Sequence, residues 1–311
     1  MSDSESEGEP GSDLVVAAQR GETEDVSQLF EQGVDPDAWK NKIGVTALWN
    51  AAWQGHADCV RLLTAARADA NARTHDGSST PLYMACQEGH SGCARLLLAA
   101  GAAVDAAVNE SGLPPLRISA ELGRVDCMEL LLAAGARGNG LGDAGEVDTP
   151  LWFAAQGGHA ACLALLLEAG AAVDRGSDCS PLAKACHMGH AEYARRLIRA
   201  GADVNHISLQ GASPLLLATL ITCSARAPGD PVASDFRGHP MHPLLVQMEA
   251  DARQWPHEEK MDVLDALECV EALVVAGATT DPLDENVRRC FEVARPFAEP
   301  CASSDACVER G

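Results

Sequence analysis

Residues 80–101 read TPLYMACQEGHSGCARLLLAAG. Three and four positions after Leu82 stand the small residues Ala85 and Cys86, which share one face of a helix. Gly89, seven after Leu82, has no Cβ, so it can enter the left-handed region and end that helix. Cys93, Ala94, Leu96, Leu97 and Leu98 then recur with the spacing of one apolar stripe, which predicts a second helix, and Gly101 closes it. Two short helices and a turn cannot bury their own apolar faces, so this stretch needs neighbours of the same kind.

The neighbours are present. The triplets TAL (46–48), TPL (80–82), PPL (114–116), TPL (149–151), SPL (180–182) and SPL (213–215) put Leu48, Leu82, Leu116, Leu151, Leu182 and Leu215 at separations of 34, 34, 35, 31 and 33 residues. Seven positions after the first five of these lie Gly55, Gly89, Gly123, Gly158 and Gly189, four of them followed by His: His56, His90, His159 and His190. Leu14 and Gly21 extend the register upstream, and Gly33, Gly101, Gly135, Gly170 and Gly201 close the second helices. Leu, Gly-His and Gly-Ala elements at fixed offsets resemble the ankyrin repeat pattern TPLHxAA…GH…LLxxGAxxN, over roughly residues 13–223 and again near 269–278. The resemblance implies an all-α ankyrin-repeat solenoid of about six to seven helix-turn-helix repeats joined by hairpin-like turns, with a concave protein-binding face.

The sixth unit is interrupted. Thr222 and Cys223 replace the Gly-His signal, and the register resumes at Cys269, Val270, Leu273, Val274 and Gly277-Ala278, so 43 residues are inserted. The expected organisation is an acidic, unstructured tail (1–12), repeats (13–223), an insertion (224–260), the resumed last repeat and cap (261–283), and a C-terminal helix and tail (284–311). Pro228, Pro231, Pro240 and Pro243 mark the start of the insertion as loop, a second candidate for partner binding.

Composition narrows the function. With 23 Lys+Arg against 45 Asp+Glu the net charge is −22, which repels phosphate backbones and anionic lipid, so neither nucleic acid nor membrane is expected as a partner. Proteins with basic or apolar surfaces are. Residues 1–37 hold 11 acids and one base, residues 38–43 two Lys and no acid. No secretory signal or run of 18 apolar residues is present, which places the expected chain in the cytoplasm, with the nucleus open, as a monomer. Ser2, Ser4 and Ser6 each precede a Glu by three residues and are phosphorylation candidates. Cys59, Cys93, Cys127 and Cys162 share one repeat position, and Cys86 and Cys186 another, which predicts buried free thiols.

Catalytic chemistry finds no support. GLGDAG (140–145) matches a dinucleotide motif but falls in a turn between repeats, not between a strand and a helix. His239, His242 and His257 could ligate a metal only in the insertion, where Pro240 and Pro243 break the helix needed to align the first two. No enzyme, cofactor or metal is expected. The resemblance places groove-facing residues at the fifth and sixth positions after each Leu: Trp53 and Gln54, Gln87 and Glu88, Glu121, Gln156, and His187 and Met188. Trp49 and Tyr83 hold the first position, where the family pattern has His, and Trp49 lies one turn before Trp53. These ten residues form the expected partner-binding set. A substrate-recognition subunit of a ubiquitin ligase is the alternative within the same fold, and a metal enzyme using the insertion a more remote one.

Overall fold

A computed structural model describes residues 10–75, 77, 79–106, 113–139, 149–176, 179–208 and 212–218, together with 268, 269, 272, 273 and 275–278. Twelve helices pair within it: α1 (Pro10–Arg20) with α2 (Thr23–Glu31), α3 (Ala47–Gln54) with α4 (Ala57–Ala65), α5 (Pro81–Glu88) with α6 (Ser91–Ala99), α7 (Pro115–Glu121) with α8 (Val125–Ala133), α9 (Pro150–Gly157) with α10 (Ala160–Glu168), and α11 (Pro181–His187) with α12 (Ala191–Arg199). The chain divides into two compact units, the first reaching Ala171 and the second running from Ala172. In the first, the inner helices α1, α3, α5, α7 and α9 pack in sequence, and α2, α4, α6, α8 and α10 form a parallel outer row.

Local chemistry sets the helix boundaries. The hydroxyls of Thr46, Thr80, Thr149 and Ser180 accept from the backbone N–H three residues on, at 3.1, 3.2, 3.3 and 3.2 Å, which satisfies a donor the helix start would otherwise orphan. Pro114 replaces the hydroxyl before α7, where the Arg117 N–H donates to the Pro114 carbonyl instead. In the core the alanines and cysteines predicted on the inner-helix face, Ala51, Ala52, Ala85, Cys86, Ala154 and Ala155, are wholly buried. On the outer helices the buried stripe is narrower than the spacing suggested. Cys93, Ala94 and Leu97 are buried while Leu96 and Leu98 are half-buried, because only one edge of a nine-residue outer helix faces its inner partner.

Two ladders tie repeat to repeat in the first unit. Gly55 has φ 80°, and a Cβ there would stand 2.6 Å from Nδ1 of His90; Gly21 and Gly123 meet the rings of His56 and His159 in the same way, at 2.7 and 2.5 Å, so these three glycines serve both the turn and the next repeat's ring. His56 Nε2 reaches the Gln19 carbonyl oxygen at 3.1 Å, and His159 Nε2 the Glu121 carbonyl oxygen at 3.0 Å. In the α7–α8 repeat Arg124 stands where its neighbours have His, and its Nε donates to the Gln87 carbonyl at 3.0 Å. The second ladder runs through the turns: Asp37, Asn71 and Asp105 accept from the backbone N–H of Asp69, Ala103 and Arg137 at 2.8, 2.7 and 3.2 Å.

One boundary moves. α1 begins at Pro10, three residues inside the segment expected to be unstructured, because Gly11 is held against Trp39: a Cβ at Gly11 would lie 2.6 Å from that of Trp39. In the second unit, residues 214–218 are helical, Cys269 and Leu273 are wholly buried, and Gly277 takes φ 87°. Arg195 on α12 pairs with Glu268 at 2.8 Å. The cysteines Cys59, Cys86, Cys93, Cys127, Cys162, Cys186 and Cys269 are free and buried, and Cys179 is half-buried. No helix among the described residues is long and apolar enough to cross a membrane. Ser2, Ser4, Ser6, the Gly140–Gly145 motif, the 224–260 insertion with its three histidines, and residues 284–311 lie outside the described residues.

Candidate functional site

The inner helices of the first unit carry Trp49, Trp53, Tyr83, Trp152 and Phe153. On α3, Trp49 and Trp53 are one turn apart, with ring centroids separated by 5.4 Å and planes tilted by 50°. The Trp49 indole N–H donates to Ser79 Oγ at 2.9 Å, a bond from one repeat to the turn of the next that fixes this ring. Among the described residues Trp53 has no such tether; its ring is 37% exposed and stacks on Trp49. An aromatic ring immobilised in this way can bury area against a partner at small entropic cost.

The strip continues over α5, α7 and α9. Tyr83 and Met84 are each only 7% exposed and pack with Trp49, Leu113 and Ile118. Tyr83 thus belongs to the floor of the face, and its ring offers a partner little area. Burial pushes the Tyr83 hydroxyl's pKa up; Arg117 nearby counters this and Glu121 reinforces it. Arg117 carries its guanidinium 3.9 Å above the ring of Phe153 and 3.5 Å from Glu121, an ion pair within one helix that also bridges to the next repeat by a cation–π contact. Phe153 in turn meets Trp152 edge-on at 5.0 Å.

The remaining predicted residues divide. Gln87 Nε2 donates to Glu88 Oε1 at 3.0 Å, so these two act as one polar unit, while Gln54 is exposed beside Trp53. Glu121 and Gln156 are half-buried on the first unit, and His187 and Met188 are half-buried on the second. Sequence spacing did not single out Arg117, Met84, Ile118 or Phe153. A signal was available: the second position after each Leu is Met84, Ile118 and Phe153 in three successive repeats, apolar where an exposed turn of helix needs no apolar residue.

Comparison with known proteins now bears on this geometry. Three copies of the ankyrin repeats model match residues 12–74, 66–140 and 138–208, more than half of the 311 residues. The chain belongs to the ankyrin repeat family. Its structure is similar to the crystal structure of the human ASB11 ankyrin repeat domain, with TM-score 0.59 and 29% identity, covering 76% of this chain and 97% of that one. A 56-residue stretch is 39% identical to ankyrin repeat protein nuc-2 of Neurospora crassa; it is 18% of this chain and spans only 5% of that protein. The fold is therefore an ankyrin-repeat solenoid, and ankyrin repeats are generally modules of protein–protein interaction.

Proposed function

We propose that this chain is a non-enzymatic adaptor that binds a partner protein on the concave, inner-helix face of its repeats, with Trp53 as the anchor. The observation that carries this reading is the Trp49–Trp53 pair, one ring tethered to Ser79 and the other exposed above it. Exposed tryptophan on a rigid backing is the residue type that concentrates interface energy. Gln54, Gln87, Glu88, Glu121 and Gln156 supply polar and acidic groups along the same inner helices, suited to a partner with apolar and basic surface.

Affinity capture followed by mass spectrometry tests the proposal, comparing wild type with a Trp53→Ala, Gln87→Ala, Gln156→Ala variant and with a deletion of residues 225–243. A partner retained by wild type and by the deletion but lost from the triple variant supports the inner-helix face. Loss in the deletion alone moves binding to the insertion and overturns the proposal.

A further inference from the structure

Cysteine follows the repeat register unevenly. The eleventh position after Leu is Cys59, Cys93, Cys127 and Cys162, and the register resumed after the insertion puts Cys269 there too. The fourth position of the preceding repeat is Ala18, Ala52 and Ala120 for Cys59, Cys93 and Cys162, but Cys86 for Cys127 and Cys186 for Cys269. In both of these last cases the two thiols are joined by a side-chain hydrogen bond. The stack thus sets thiol against thiol where the inner helix of one repeat and the outer helix of the next both carry cysteine.

The pair in the first unit has a defined geometry. Cys86 lies on α5 and Cys127 on α8, both buried. Cys127 Sγ stands 4.0 Å from the carbonyl oxygen of Ala85, the residue before Cys86. The bond between the thiols is directional. Cys86 donates, so its own proton is held and its pKa is pushed well up, whereas the same bond favours the Cys127 thiolate and lowers that pKa. Burial and Asp126 oppose the lowering, and Arg124 supports it. One sulfur is poised as nucleophile and its neighbour as a resolving thiol with a proton to give.

We infer that Cys86 and Cys127 close to a reversible disulfide when the chain meets a peroxide, cross-linking α5 to the outer helix of the following repeat. The Cys127 thiolate attacks one oxygen of hydrogen peroxide; an S–O bond forms, the O–O bond breaks, and the hydroxide released takes up a proton from solvent. Cys86 sulfur then attacks the sulfenic acid on Cys127; the S–S bond forms, the S–O bond breaks, and the hydroxyl leaves as water with the Cys86 proton. Two thiols and one hydrogen peroxide give one disulfide and two waters, and thiol exchange reverses the link. Both sulfurs are buried, so local fluctuations admit an oxidant scarcely larger than water before they admit an alkylating reagent. The cross-link locks α5, which carries Tyr83 and Met84, to the outer row.

The test treats folded full-length protein with hydrogen peroxide, alkylates the remaining thiols in denaturant, and maps the peptides by mass spectrometry without reduction. The expected product is a peptide joining Cys86 to Cys127 with the loss of two hydrogens, abolished by dithiothreitol, while Cys59 and Cys93 stay alkylated. Cys86→Ala is the matched control: Ala52, Ala120 and Ala155 already fill that position, and a melting curve checks that it folds. In this variant the link is lost and the sulfenic acid on Cys127, with no thiol to resolve it, is trapped by dimedone. Absence of the linked peptide from folded, peroxide-treated wild type overturns the inference. So does a link from Cys127 to Cys93 in its place, or a Cys86–Cys127 link that forms only after the chain is unfolded.

Discussion

Two tryptophans one turn apart on α3 have different roles. Trp49 is bonded through its indole N–H to Ser79 and packs on Tyr83 and Met84, whereas Trp53 stacks on it and is 37% exposed. Trp49→Phe should therefore cost about 1 kcal/mol of stability from the lost hydrogen bond, while Trp53→Ala, which removes a ring 37% exposed and otherwise covered against Trp49, should cost about 1–2 kcal/mol; thermal unfolding followed by circular dichroism reads both. Asp37 offers a pH test. Burial lifts its carboxyl above the usual carboxylate range, against the opposing hydrogen bond from the Asp69 N–H. The folded chain then holds this proton to higher pH than the unfolded chain, so the ionised group costs stability at neutral pH and the cost fades as pH falls through the raised pKa. Asp37→Asn should melt above wild type at pH 7, with the difference closing toward pH 4; a lower melting point at pH 7 would contradict this. At this scale Trp53 was legible from its offset to Leu48. The Arg117–Phe153 contact was not, because it joins residues 36 apart whose approach depends on how α7 packs on α9.

At the level of the helix pair, the repeat's glycines separate into two physical classes. Gly55 and Gly101 share positive φ, 80° and 88°, but a Cβ on Gly55 meets the His90 ring at 2.6 Å while one on Gly101 meets nothing within 4 Å. Gly101→Ala should cost about 1 kcal/mol for the left-handed backbone alone. Gly55→Ala should cost at least about twice that, because the His90 ring of the next repeat, packed against this glycine, must shift. Equal costs in denaturant unfolding would show that the ring is not held there. Helix starts, the closing glycines and the small inner-face residues were readable from spacing, since each is a local requirement of backbone and cap. The turn ladder of Asp37, Asn71 and Asp105 was not. Those residues look like ordinary turn formers until the stack sets them opposite the next repeat's N–H groups.

Across the molecule, the stack buries thiols as it buries leucines. Cys93 and Cys162 are fully enclosed, and burial raises their pKa values to about 11, so at pH 8 they are both inaccessible and protonated. In peptide-resolved alkylation of native protein, Cys59, Cys93, Cys162 and Cys186 should remain unmodified while half-buried Cys179 reacts, and all should react after denaturation. Rapid native labelling of Cys93 would show that the outer helices open. The solenoid as a whole was legible because its period is written many times over. The aromatic strip was legible only in part, because the outward spacing of Trp53 is a property of one helix while the strip itself is built by four.

The central claim is that the inner-helix face binds through Trp53, and a titration with the captured partner by calorimetry tests it most directly. The account predicts that Trp53→Ala weakens binding by at least about 30-fold, the loss of a hot-spot residue, in a variant whose melting curve shows it folded at the titration temperature. Affinity equal to wild type in a folded Trp53→Ala variant would contradict it.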